Sequence, residues 1–203
     1  MTYVLQGTAF AFDEPFVKND YILYVNSGAF DASLASGKSV QLLIGHDPAQ
    51  RLGSSSDRLT LHAGKKSLVF RFDLHDGDGF ADLADDPLTY LPVSISHRPV
   101  KTTSEVMRGV KVVTVIESEL VEISLIKGEP DIKSSYARVV SQDGCASLKD
   151  EYDAGLFNVA GRLITAHRAL KARENGGEIK YRHTTSAYDR AAERFTAALR
   201  RLQ

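Results

Sequence analysis

Three polar residues stand where apolar runs end or are interrupted: His46 after "QLLIG", Ser94 in "YLPVSISHRP", and Glu122 in "ESELVEISLI". A serine hydroxyl is a weak nucleophile at neutral pH. It needs an imidazole to take its proton, and the imidazole needs a third group to fix its tautomer and stabilise its cation. Together the three residue types fit nucleophile, base and orienter in acyl transfer. In an extended strand Ser94 and Ser96 share one face, while Val93, Ile95 and His97 share the other. By the same alternation Leu120, Glu122 and Ser124 face one way, and Val121, Ile123 and Leu125 the other. A carboxylate flanked so closely by apolar residues is expensive to bury alone, so Glu122 asks for a histidine, an arginine or backbone donors. Each residue singly has a simpler role: a solvated strand serine, a glutamate on a wet face, and a turn at His46-Asp47-Pro48. Spacing alone does not bring the three together, and it leaves Ser96 as a second nucleophile and His97 as a second base.

The elements that must carry these residues read as strands. "YVLQGTAFAF" and "YILYV" are apolar and aromatic runs, and "LTLHAGKKSLVFRFDL" reads as two strands turning at residues 63–66. Leu68, Phe70, Phe72 and Leu74 alternate and put one apolar face inward. "GVKVVTVIESELVEISLI" supplies two long strands or one bent pair, with the break expected at Glu117-Ser118-Glu119. Short helices are expected over 31–37, with Asp31 as N-cap and Gly37 as stop, and within 79–91, yielding at Pro87. Short strands with few helices imply a barrel or a strongly bent sheet. After residue 143 the spacing becomes helical, through Leu156, Val159, Ala160, Leu163, Ile164 and His167, and again through Tyr188, Ala191, Phe195, Ala198 and Leu202. The expected division is a β-rich body over 1–142 and a helical segment over 143–203.

At 203 residues and 43% hydrophobic, the chain can build one good core or one domain plus an appendage. The apolar runs are too short to span a bilayer and the N-terminus lacks the pattern of a signal peptide, so synthesis in the cytoplasm is expected. Cys145, the single cysteine, excludes an internal disulfide framework and a cysteine-clustered metal site. A net charge of −1 argues against a nucleic-acid protein, although residues 143–203 are mildly basic and the body mildly acidic. Asp73, His75, Asp76 and Asp78 invite a metal reading, but they lack the ligand spacing of a calcium loop or a zinc site and read as a solvated acidic loop.

Much of the first 140 residues resembles the prohead (capsid-maturation) serine proteases of tailed bacteriophages, whose fold is related to the herpesvirus assemblins. The matching segments arrive in the family's order: "GTAFAF", "VNSGAFDASL", "VQLLIGHDPAQRLG", "LVFRFDL", "VSIS", and "ELVEISLIKGEPDIKSSYARV" with its Leu-x-Glu-(Val/Ile)-Ser-(Leu/Val) signature. The resemblance implies an α+β fold, mainly an antiparallel, barrel-like β body with short helices and a helical C-terminal segment. It also implies His46 as general base, Ser94 as nucleophile and Glu122 as the group orienting His46, with no metal or cofactor. The implied substrates are capsid-protein and scaffold segments, and the chain itself, inside the procapsid in the host cytoplasm. Self-association is expected, and neither nucleic acid nor membrane. The chain departs from the family at Gly45, where Asn is common, at Ser94-Ile95-Ser96-His97, where the pattern usually continues Gly-Phe, and at Asp131. The altered serine segment motivates a rival reading, a catalytically inactive relative acting as a scaffold or assembly protein. The oxyanion donors stay open between backbone N–H groups, Arg98 and Arg138.

Overall fold

The computed structural model describes residues 3–142 except 13, 19, 76, 77, 79 and 81–89, together with Lys149. The helix expected within 79–91 and both helices expected after residue 143 lie outside the described residues. Among the described residues ten strands and one short helix, α1, follow in the order β1 (Tyr3–Ala11), β2 (Phe16–Lys18), β3 (Tyr21–Val25), α1 (Asp31–Ala35), β4 (Gln41–Ile44), β5 (Asp47–Ser54), β6 (Leu59–Ala63), β7 (Ser67–Leu74), β8 (Leu91–Met107), β9 (Val110–Leu125) and β10 (Tyr136–Ser141), with Lys149 also helical.

The strands hydrogen-bond in the order β2-β3-β9-β8-β10-β1-β7-β6, with β4 on β9 and β5 on β4. This corrects the barrel-like expectation: among the described residues β2 and β6 end the sheet without meeting, so the barrel does not close. The sheet is mainly antiparallel, as expected, with two parallel pairs where β3 and β4 run along β9.

β1 lies between β10 and β7 and is buried along almost its whole length, which is why it reads as small and apolar rather than alternating. Its Gly7 admits no side chain: a Cβ there would stand 2.0 Å from the Tyr136 carbonyl oxygen and 2.6 Å from Ala137 Cα. On one face Leu5 and Ala9 join Phe70, Phe72, Leu74, Ala137 and Val139 in the core. The β6–β7 hairpin turns over residues 64–66, as the sequence predicts.

The long strand β9 positions the site. One of its edges pairs with β8 from end to end. Along the other edge the chain from β3 to β4 runs parallel to it, β3 on Lys111–Val115 and β4 on Glu122–Leu125, with α1 seated between. There the Ser118 N–H donates to the Ala29 carbonyl at 2.8 Å, and the Leu120 N–H to Ser33 Oγ at 2.9 Å. The break expected at 117–119 is therefore no break. It is a stretch of irregular register in one continuous strand, where backbone donors turn aside to hold α1. The N-cap of α1 is Phe30, one residue before the expected Asp31, and Gly37 follows the helix at φ +71.

Candidate active site

His46 sits in a two-residue turn rather than at the end of a plain strand. Ile44 pairs with Asp47, so Gly45 and His46 are the central residues of the β4–β5 hairpin, and both have φ of +61. Positive φ at both central positions is what a tight hairpin of right-handed twist requires. Glycine and asparagine adopt it most readily, which explains how Gly45 can stand where Asn is common. Asp47 belongs to the following strand, where its carboxylate accepts from the Ala49 N–H at 2.9 Å and from Gln50 Nε2 at 3.0 Å.

The hairpin delivers His46 to β9. Its Nδ1 lies 2.6 Å from Glu122 Oε1, and its backbone N–H donates to Ser124 Oγ at 3.1 Å. The Ser124 hydroxyl in turn donates to Glu122 Oε2 at 2.5 Å. The contacts form a closed circuit in which one carboxylate and one hydroxyl hold both the ring and the main chain of His46. The Glu122 side chain is only 7% exposed, whereas that of His46 is 44% exposed. The buried partner answers the desolvation problem that the sequence raised, and the exposed one can meet a substrate. With Nδ1–H donated to the carboxylate, Nε2 carries the lone pair.

β8 brings up the serines. Ser94 stands opposite Ser124 and Ser96 opposite Glu122, so all four side chains lie on one face. Val93, Ile95, Ile123 and Leu125 pack into the core on the other. Ser94 is half-buried and Ser96 exposed. The structure thus joins His46 to Glu122 directly and puts Ser94 beside their shared neighbour Ser124. No hydrogen bond links Ser94 to His46 among the described residues. Ser124 had been given no role by sequence reasoning; its signal was the i, i+2 spacing from Glu122 on one strand face.

Two further expectations change. Leu120 does not face the way of Glu122. Between the pairs Ser96–Glu122 and His97–Leu120 the residue Val121 has no opposite number, and this extra residue turns Leu120 into the core. His97 also leaves the contest for the base. Its Nδ1 lies 2.7 Å from Ser118 Oγ, and its ring packs edge-on against Phe30 at 5.7 Å, on the side away from Ser94. Burial holds His97 below the ordinary imidazole pKa, and the charge of Lys18 adds to that effect.

The acidic loop has a structural occupation. Asp78 accepts from Arg58 Nη1 at 2.7 Å and from the His75 N–H at 2.8 Å, and the Arg58 guanidinium lies 4.5 Å from the Phe72 ring centroid. Among the described residues no helix is long and apolar enough to cross a membrane.

No curated protein matches the chain. Among solved structures it is similar to the KSHV protease in complex with a hexapeptide phosphonate inhibitor, at 13% identity and a TM-score of 0.47, over 98% of this chain and 88% of that one. The family model described as "Caudovirus prohead serine protease" matches residues 1–149. Since this covers the strands carrying His46, Ser94, Glu122 and Ser124, the chain belongs to the caudovirus prohead serine protease family.

Proposed function

We propose that the chain is the endopeptidase of a procapsid, with Ser94 as nucleophile, His46 as general base and Glu122 as the group that orients His46. The observation that carries this reading is the 2.6 Å contact between His46 Nδ1 and the buried Glu122 carboxylate, two ladder positions from Ser94 on the same sheet face. Ser94 Oγ attacks the peptide carbonyl carbon as His46 Nε2 takes its proton. The C–N bond then breaks, and the same proton passes to the leaving amine. Water, deprotonated by His46, releases the acyl group and frees Ser94. Glu122 stays ionised throughout and stabilises the imidazolium. Arg98, four residues along β8 from Ser94, and Arg138, two residues along β10 from Tyr136, which pairs with Pro92, both lie on the face of Ser94, and either arginine or a backbone N–H can serve as oxyanion donor.

The substrates are segments of the capsid protein and scaffold, together with a site in the chain itself beyond β10. The deciding experiment incubates wild type, Ser94→Ala, Ser96→Ala and His46→Ala with capsid protein and follows intact masses. Cleavage should fall by roughly 10³-fold or more for Ser94→Ala and His46→Ala and persist for Ser96→Ala. The opposite pattern between the serines would transfer the nucleophile to Ser96. Absence of cleavage by the wild type, with capsid protein still maturing normally in procapsids that carry His46→Ala, would instead favour the inert scaffold relative.

A further inference from the structure

The far half of β8 runs along β9 as the exposed limb of a long hairpin. Residues 98–111 are all exposed, among them Val106 at 72%, Val100 at 65% and Met107 at 56%. β9 is covered on its far edge by β3, but β8 meets β10 only at Leu91 and Pro92. Val93 donates one further backbone hydrogen bond to the Ser135 carbonyl, and from Ser94 onward β8 has strand pairing on its β9 side only, among the described residues. A long edge with exposed valines is a template for another strand.

We propose that this edge pairs with the same edge of a second copy of the chain, antiparallel, about a two-fold axis at Thr103. The sequence Val100-Lys101-Thr102-Thr103-Ser104-Glu105-Val106 is complementary to its own reverse. In that register Val100 meets Val106 of the second copy, Lys101 meets Glu105, and Thr102 meets Ser104, each twice by symmetry. A self-complementary patch of this kind is what an isologous dimer requires.

The backbone parity agrees. Arg108 and Gly109, with φ of +51 and +80, form the two-residue turn, and the ladder is regular from Met107–Val110 to Thr102–Val115. The pair closing such a turn exchanges both hydrogen bonds, so Met107, Glu105 and Thr103 aim their N–H and C=O groups at β9. Thr102, Ser104 and Val106 aim theirs at the open edge. A two-fold at Thr103 therefore makes Thr102 and Ser104 a doubly bonded pair across the interface. Lys101 and Glu105 become a non-bonded pair, the class in which opposite side chains approach more closely. Pro99 and the register shifts beside Lys101 end the pairing at Val100. Proline, lysine and irregular register also blunt edges against association, but a blunted edge has no use for complementary charge or for valines at both ends.

The test is sedimentation of the full chain. Wild type should dimerise reversibly, and Lys101→Glu or Glu105→Lys alone should weaken the dimer by roughly ten-fold or more, since each sets like charges opposite one another twice. The double variant Lys101→Glu/Glu105→Lys should recover wild-type affinity. In a Cys145→Ser background, Thr103→Cys should cross-link on oxidation, because an axial residue faces its own copy at disulfide distance. Val100→Cys should not, since its copy lies about 20 Å away along the strand. A wild type that stays monomeric, single variants indistinguishable from it, a double variant as weak as the singles, or equal cross-linking by both cysteines would overturn the proposal.

Discussion

The geometry of His46 is fixed twice, through its ring by Glu122 and through its main chain by Ser124. The two partners have separable roles. Under the proposed mechanism Glu122→Gln keeps the shape but loses the charge that would stabilise the imidazolium, so kcat should fall by roughly 10²-fold or more, measured on a peptide spanning a mapped cleavage site. Ser124→Ala leaves the carboxylate one donor short and frees the His46 N–H. As a positioning residue, its loss should lower kcat several-fold while KM holds, and a rise in KM alone would refute the role. The residue types and their chemistry were legible in the sequence, because a glutamate amid apolar neighbours demands a partner. Composition and spacing did not identify that partner, which only the family resemblance named, since His46 and Glu122 lie 76 positions apart and the parallel pairing of β4 with β9 unites them.

Strands were read well where the alternation is regular, as in β7, and poorly where an element depends on its neighbours. The β5 strand and the exposed half of β8 carry little apolar pattern, and their pairing comes from β4 and β9 rather than from their own composition. The irregular middle of β9 was mistaken for a break because a bulge and a turn both interrupt periodicity. Only the donors from Ser118 and Leu120 to the α1 segment tell them apart. At this scale the sharpest prediction concerns Gly7. Gly7→Ala drives a methyl group into the β10 backbone and should cost roughly 3 kcal/mol by chemical denaturation. By contrast Gly45→Asn, which retains access to positive φ, should leave stability within about 0.5 kcal/mol of wild type, while Gly45→Val should not.

For the molecule as a whole, the β-rich class was legible and its openness was not. Composition and short strands do not say whether the ends of a sheet meet. Stability as a whole should also sense pH through His97. Its pKa is depressed in the fold by burial, so its contribution is complete above the unfolded value of about 6.5 and is lost as pH falls through the lowered value. Melting temperatures recorded from pH 8 down to 5 should decline for wild type and decline less for His97→Gln. Identical slopes would remove His97 as the cause. Finally, the parallel contact between β4 and β9 bears on timing. His46 leaves the ribosome well before Glu122, and their meeting closes a loop of 76 residues, the kind of contact that forms slowly. A refolding chain should therefore regain hydrolysis together with the core fluorescence change and never ahead of it. Hydrolysis would then be held back by the fold itself until β4 has docked on β9.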